Sequence, residues 1–261
     1  MTRRPIEMKL HLLPGRKASQ VVSAFLLIVP LSVASVALGQ RHVSKTFPAG
    51  KNVRVELRNM SGTITVESWN RDEIRVTADM EDSKATFSPR ETESGLVIDI
   101  VGDNRGRSTV GDMNFKIQLP ARSSVDLETR SGQITVNNVQ GDLVRAHIWT
   151  SGDITLSGVS AGRVFATNTT GDIFFDGEFA SGGTYEFKSV KGTITLSLPM
   201  NCGFRLVATA PTKDIKMGPF WNASTLKLMS EGRRIIGDVG DGRASVTVTN
   251  FQGNINFIRR R

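Results

Sequence analysis

Ser131-Gly132-Gln133-Ile134-Thr135-Val136 sets a pattern that returns along the whole chain. Ser151-Gly152-Asp153-Ile154-Thr155-Leu156 follows it, then Thr170-Gly171-Asp172-Ile173-Phe174-Phe175 and Lys191-Gly192-Thr193-Ile194-Thr195-Leu196. Two outlying copies are Ser61-Gly62-Thr63-Ile64-Thr65-Val66 and Gln252-Gly253-Asn254-Ile255-Asn256-Phe257. A degenerate copy, Thr212-Lys213-Asp214-Ile215, puts Lys213 in the glycine slot, and Gly232 marks a further one. The slots at 132, 152, 171, 192, 213, 232 and 253 are 19 to 21 residues apart. A fixed period of this length marks a repeat architecture, in which each unit buries its apolar face only by stacking on the next.

Alignment on the glycine shows what each unit contains. Apolar residues stand seven and five positions before it: Val55 and Leu57, Val125 and Leu127, Val164 and Ala166, Tyr185 and Phe187, Val246 and Val248. A short polar residue stands three before it: Asn59, Thr129, Asn168, Ser189 and Asn250. Apolar residues return two and four positions after it, as in Ile134 and Val136 or Ile173 and Phe175. Period-two alternation on both sides of a glycine predicts a strand, a tight corner and a second strand. Parallel, in-register units stacked about 4.8 Å apart pair every backbone group with the units above and below, so seven rungs span roughly 29 Å. The fold class expected is all-β, a single-chain β-solenoid (β-helix).

The unit before Gly152 departs from the rule. Its apolar residues Val144, Ala146 and Ile148 are one position out of register, placing Trp149 where the short polar residue belongs, and a β-bulge accounts for the extra residue. Upstream, alternating residues predict strands around Val53–Leu57, Ile64–Val66, Ile74–Val76 and Leu96–Ile100. Residues 102–113 are polar and glycine-rich and read as a loop, and Phe115, Ile117 and Leu119 form a strand closed by Pro120.

Met1 to Lys17 carries five basic residues against Glu7, Val21 to Leu38 is apolar with a break at Pro30, and Ala37-Leu38-Gly39 precedes Gln40. Together these predict a cleavable export signal over 1–39, with no membrane span left after cleavage, the alternative being an uncleaved membrane anchor. The β-solenoid domain then covers 40–258, comprising irregular N-terminal strands and a loop over 40–120 and regular rungs over 121–258, with a basic tail at 259–261. The formal charge of +8 is concentrated in the signal and in Arg259-Arg260-Arg261, which leaves the folded body near neutral. That distribution excludes a nucleic-acid footprint. Cys202 is the sole cysteine, so no intramolecular disulfide forms.

The sequence resembles the bacterial putative-adhesin β-strand-repeat family, a domain of unknown function found in exported envelope proteins. The resemblance is carried by Ser61 to Val66 followed by Trp69-Asn70-Arg71-Asp72-Glu73-Ile74-Arg75-Val76, by Leu119-Pro120-Ala121 leading into the repeats at 131, 151 and 170, and by Leu198-Pro199. It implies a β-solenoid and an adhesin-like role over residues 45 to 258, located in the periplasm or at the cell surface. It carries over no catalytic residue, and Lys213 and the shifted unit before Gly152 depart from its regularity.

Candidate chemistry is sparse. His42 and His147 are the only histidines after the signal, and no nucleophile-elbow, phosphate-loop or zinc-ligand spacing is present. Asp153 and Asp172 both follow a corner glycine and therefore stack on adjacent rungs. Such carboxylates either hold a cation or act on a polysaccharide, but beside a turn glycine they commonly cap the corner. Thr65, Thr135, Thr155, Phe174 and Thr195 form an outward column that Phe174 interrupts. Trp69, Trp149, Phe220 and Trp221 are the remaining sugar-stacking aromatics. The expected function is a non-enzymatic, adhesin-like binding or structural module with no cofactor and no metal. Its candidate contact residues are Phe174, Trp149, Asp153 and Asp172, and its partner is an envelope component, a glycan or a second copy. The competing class is a carbohydrate-active β-helix enzyme, which needs more convergent carboxylates than one pair.

Overall fold

The computed structural model describes residues 40–50 and 52–260. The expected signal over 1–39 and the last residue of the basic tail lie outside the described residues.

Alternation along Ser124–Ser131 buries Val125, Leu127 and Thr129 while Asp126 and Glu128 face outward. The chain turns at Gly132 and returns as Ile134–Asn137, with Ile134 and Val136 buried. Each repeat contributes its first strand to an 11-stranded sheet and its second to a 10-stranded sheet. Equivalent strands pair in parallel and in register, so Val125, Val144, Val164 and Tyr185 form one inward row and Ile134, Ile154, Ile173 and Ile194 another. The two sheets meet over these rows: Phe175 and Phe187, from opposite sheets, have ring centroids 5.2 Å apart. The whole is a solenoid-like stack with its core between the sheets.

The corner glycines serve a second purpose besides their positive φ. A Cβ on Gly152 would lie 1.5 Å from the carbonyl oxygen of Gly132, and its φ is +146°. Gly253 has no positive φ, yet a Cβ there would also lie 1.5 Å from the carbonyl oxygen of Gly192. Close approach of one rung's backbone to the next is therefore what every corner shares. Below each corner the short polar residue is buried: Asn59, Thr129, Asn168, Ser189 and Asn250 are all at most 2% exposed. The asparagines and Thr129 bond the corner rather than one another, while Ser189 Oγ has no partner among the described residues. Asn168 Nδ2 donates to the Gly152 carbonyl at 3.0 Å, and Asn250 Nδ2 to that of Gly192 at 2.8 Å.

Rung order departs from chain order at the C-terminal end. Strand Thr184–Lys191 pairs not with Phe204–Thr209 but with Ala244–Asn250, which in turn pairs with Phe204–Thr209. On the other sheet Ile255–Arg259 lies between Ile194–Leu198 and Ile215–Lys216. The last repeat is thus threaded between two earlier ones. Lys213 keeps its rung, since Ile215 is level with Ile255. Gly232 does not mark a rung: it closes a 3-10 turn over Ser230–Gly232 between the antiparallel strands Leu226–Met229 and Arg234–Val239.

At the N-terminal end Arg54–Ser61 and Ile64–Trp69 form a regular rung directly on Ser124–Ser131 and Ile134–Asn137. Beyond it, Gly95–Asp99 lies beside Arg54–Ser61 and Met113–Pro120 beside Ile64–Trp69. These two strands make a rung whose glycine corner is replaced by residues 100–112. That stretch starts as a short helix, Ile100–Asp103, where the sequence predicts a loop. Buried Asn104 anchors it, since its Nδ2 donates to the carbonyls of Thr86 and Ile100, both at 2.9 Å. Ile100 and Val110 of this longer corner pack into the core, and Val101, Gly102 and Arg105 overhang the neighbouring rungs, lining a cleft with Arg58, Glu128 and Trp149.

Candidate functional site

The anomalous unit lies close to this overhang. Register slips between Ile148 and Ser151, which locates the extra residue of the bulge. Ile148, not Trp149, takes the inward slot between Thr129 and Asn168, correcting the placement expected from spacing. The bulge turns Trp149 outward, where it is 56% exposed. Two threonines fix the bulged backbone. Thr150 Oγ1 donates to the Arg130 carbonyl at 2.6 Å, and Thr169 Oγ1 to the Trp149 carbonyl at 2.8 Å.

The indole is also held. Trp149 Nε1 donates to Glu128 Oε1 of the adjacent rung, and the His147 ring lies against it with centroids 4.3 Å apart. Glu128 has a second neighbour in Arg58, whose Nε is 3.9 Å from Oε2. Burial lowers the pKa of His147 below its ordinary value, with Arg145 acting the same way and Glu128 and Asp126 opposing. His147 is therefore a neutral shelf for the indole at neutral pH.

Between the bulge and the overhanging corner lies a cleft of about 760 Å³. Met60, Val101 and Trp149 supply its apolar surface, and Arg58, Arg105 and Arg130 supply cations. Asp99 and Glu128 also line it, but both are engaged: Asp99 accepts from the Gly102 N–H at 2.9 Å and Glu128 from Trp149. Among the described residues no carboxylate forms an ion pair with Arg105 or Arg130, both of which are exposed. The site thus offers one rigid aromatic face and two uncommitted guanidinium groups.

The other sequence-predicted residues lie elsewhere. Asp153 and Asp172 stack as expected, each capping the next corner: Asp153 Oδ1 accepts from the Asp172 N–H at 2.8 Å, and Asp172 Oδ1 from the Thr193 N–H at 2.7 Å. No group of three or more His, Cys, Asp or Glu side chains converges among the described residues. Phe174 points outward between Thr155 and Thr195 on the ten-stranded sheet, half-buried by them. Trp69 lies between the guanidiniums of Arg71 and Arg75, 5.1 and 5.0 Å from its ring. Phe220 is buried in the core while Trp221 is 45% exposed. Burial pushes the Cys202 thiol up to about 11, making it a poor nucleophile.

Sequence reasoning singled out Trp149 and missed its surroundings. Arg58 and Glu128 share the column four residues before the glycine, and Arg130 stands two before its own. Reading the outward columns across rungs, as the inward ones were read, places them beside Trp149. Arg105 carries no such signal, because its position depends on how the long corner folds.

A family model described as Toastrack DUF4097 matches residues 52–177 and again 121–257. A solved structure of a putative cell adhesion protein from Clostridium sporogenes is similar at 12% identity and a TM-score of 0.51, covering 85% of this chain and 100% of that one. A putative adhesin from Bacteroides fragilis aligns at 11% identity and a TM-score of 0.40, covering 85% of this chain and 99% of that one. No curated protein matches the chain.

Proposed function

The chain belongs to the Toastrack DUF4097 family, and from that premise we propose that it is a non-enzymatic, adhesin-like binding module of the bacterial envelope. On this reading residues 1–39 are a cleaved export signal and the stack works in the periplasm or at the cell surface. The Clostridium sporogenes neighbour shares the fold, and its name as a cell adhesion protein agrees with the role. The argument for binding rests on the cleft.

One observation carries it: Trp149 is 56% exposed and yet fixed from behind by Glu128 and His147. A large apolar side chain gains nothing from water, and a rigid aromatic at the mouth of a concave site loses little entropy when it is covered. Interface aromatics of this kind contribute about 2 kcal/mol or more. The non-enzymatic reading is supported by what the titratable groups already do. The stacked carboxylates hold corner amides, the thiol is protonated, and His147 supports an indole.

Cosedimentation of the purified domain with isolated envelope tests the reading. The parent and Phe174→Ser are expected to sediment alike, and Trp149→Ala to remain in the supernatant with its β-sheet signature unchanged. Equal sedimentation of the parent and Trp149→Ala removes the cleft from the account.

A further inference from the structure

We propose that the cleft beside Trp149 takes an anionic sugar unit of an envelope polysaccharide, a pyranose ring bearing a carboxylate or phosphate; this rests on the binding role assigned above. The recognition follows from what the cleft presents. The apolar C–H face of a pyranose packs on an aromatic face, and Trp149 offers one fixed in orientation by its Nε1–H bond to Glu128 and by His147 behind it.

The charges select the substituent. Arg105 on the overhanging corner and Arg130 on the neighbouring rung stand on the cleft wall without a carboxylate partner among the described residues. A guanidinium fork matches a carboxylate or a phosphate with two parallel N–H···O bonds, and a neutral sugar leaves it unused. The acidic residues do not cancel this field, since the lining sets three guanidiniums, Arg58, Arg105 and Arg130, against two carboxylates, Asp99 and Glu128, and both carboxylates are held by groups of the protein. The cleft is open at about 760 Å³, which suits one or two units within a longer chain better than an enclosed small molecule. An acyclic lipid headgroup such as phosphatidylglycerol would share the anion but would have no ring face to place on the indole.

Isothermal titration calorimetry with four probes tests this on the domain and two variants. The probes are an oligogalacturonide, a phosphorylated mannan, a neutral gluco-oligosaccharide and phosphatidylglycerol vesicles. At least one acidic saccharide is expected to bind about tenfold more tightly than the neutral one, with affinity falling as salt rises. Trp149→Ala is expected to weaken it about tenfold, and the double variant Arg105→Gln/Arg130→Gln to erase the preference for acid over neutral. Because all three side chains are exposed, the variants keep the fold, which circular dichroism verifies. Tighter binding of the uronate or of the phosphate identifies which anion the envelope supplies. Equal binding of acidic and neutral saccharides, binding of vesicles alone, insensitivity to either variant, or no binding of either acidic saccharide overturns the proposal. If envelope still sediments the domain through Trp149 in that case, the binding role stands and only its chemical class falls.

Discussion

Gly253 rests so closely on Gly192 that a Cβ on the first would lie 1.5 Å from the carbonyl oxygen of the second. The Asn250 Nδ2 amide locks the contact by donating to that same carbonyl at 2.8 Å. Backbone must move to admit even a methyl group there. Gly253→Ala is accordingly expected to destabilise the fold by about 3 kcal/mol or more. Gly182→Ala, with φ +75° but nothing within 4 Å, is expected to cost only its local strain, about 1 kcal/mol. Urea titrations compare them, and equal costs would refute the close-approach reading.

The same contact marks where the last repeat enters the stack. Ala244–Asn250 and Ile255–Arg259 are interior strands, paired on both sides, although they come last in the chain. Removing residues 244–261 strips partners from both flanking rungs and uncovers Tyr185, Phe187, Phe204 and Leu206. Such a truncation is expected to be insoluble or to bind a hydrophobic dye. Hydrogen exchange on any soluble product should show lost protection over 184–209, and unchanged protection there would contradict the threading.

Sequence periodicity made the rungs legible because an inward column needs the same residue class every twenty positions or so. Ile134, Ile154, Ile173 and Ile194 stack as their spacing predicts. The order of the last rungs was not legible. Spacing alone sets the Lys213 corner next to Gly192, and only the three-dimensional return of the chain puts Gly253 there instead. Trp149 was visible as an irregularity, but its partners were not, since Glu128, Arg130 and Arg105 reach it across rungs and from a corner of unique length.

Inside and outside are sharply separated along single strands. Ile154 is fully buried, while Thr155 beside it faces outward and is partly exposed. Ile154→Ala is expected to cost about 2–5 kcal/mol. Thr155→Ala should stay within about 0.5 kcal/mol. Denaturation midpoints with an unchanged denaturant slope would establish the contrast, and comparable losses would mean the faces are misassigned.

His147 links the site to pH. Burial depresses its folded value, with Arg145 assisting and Glu128 and Asp126 opposing, so the unfolded chain takes up the proton first as pH falls. The stability contribution is complete above the ordinary value of 6.5 and is lost as pH drops through the folded value. The parent is therefore expected to lose more thermal stability than His147→Gln between about pH 7.5 and pH 5.5. Parallel melting curves for the two would show that His147 plays no such part.

Hydroxyl-radical footprinting of the domain, alone and saturated with isolated envelope, addresses the binding surface most directly. Trp149, Phe251 and Trp221 are 56%, 53% and 45% exposed, so all three oxidise readily in the free protein. If the cleft is the contact, envelope protects Trp149 several-fold while Phe251 and Trp221 stay as reactive as before. Protection of Phe251 or Trp221 with Trp149 still fully reactive would contradict the account.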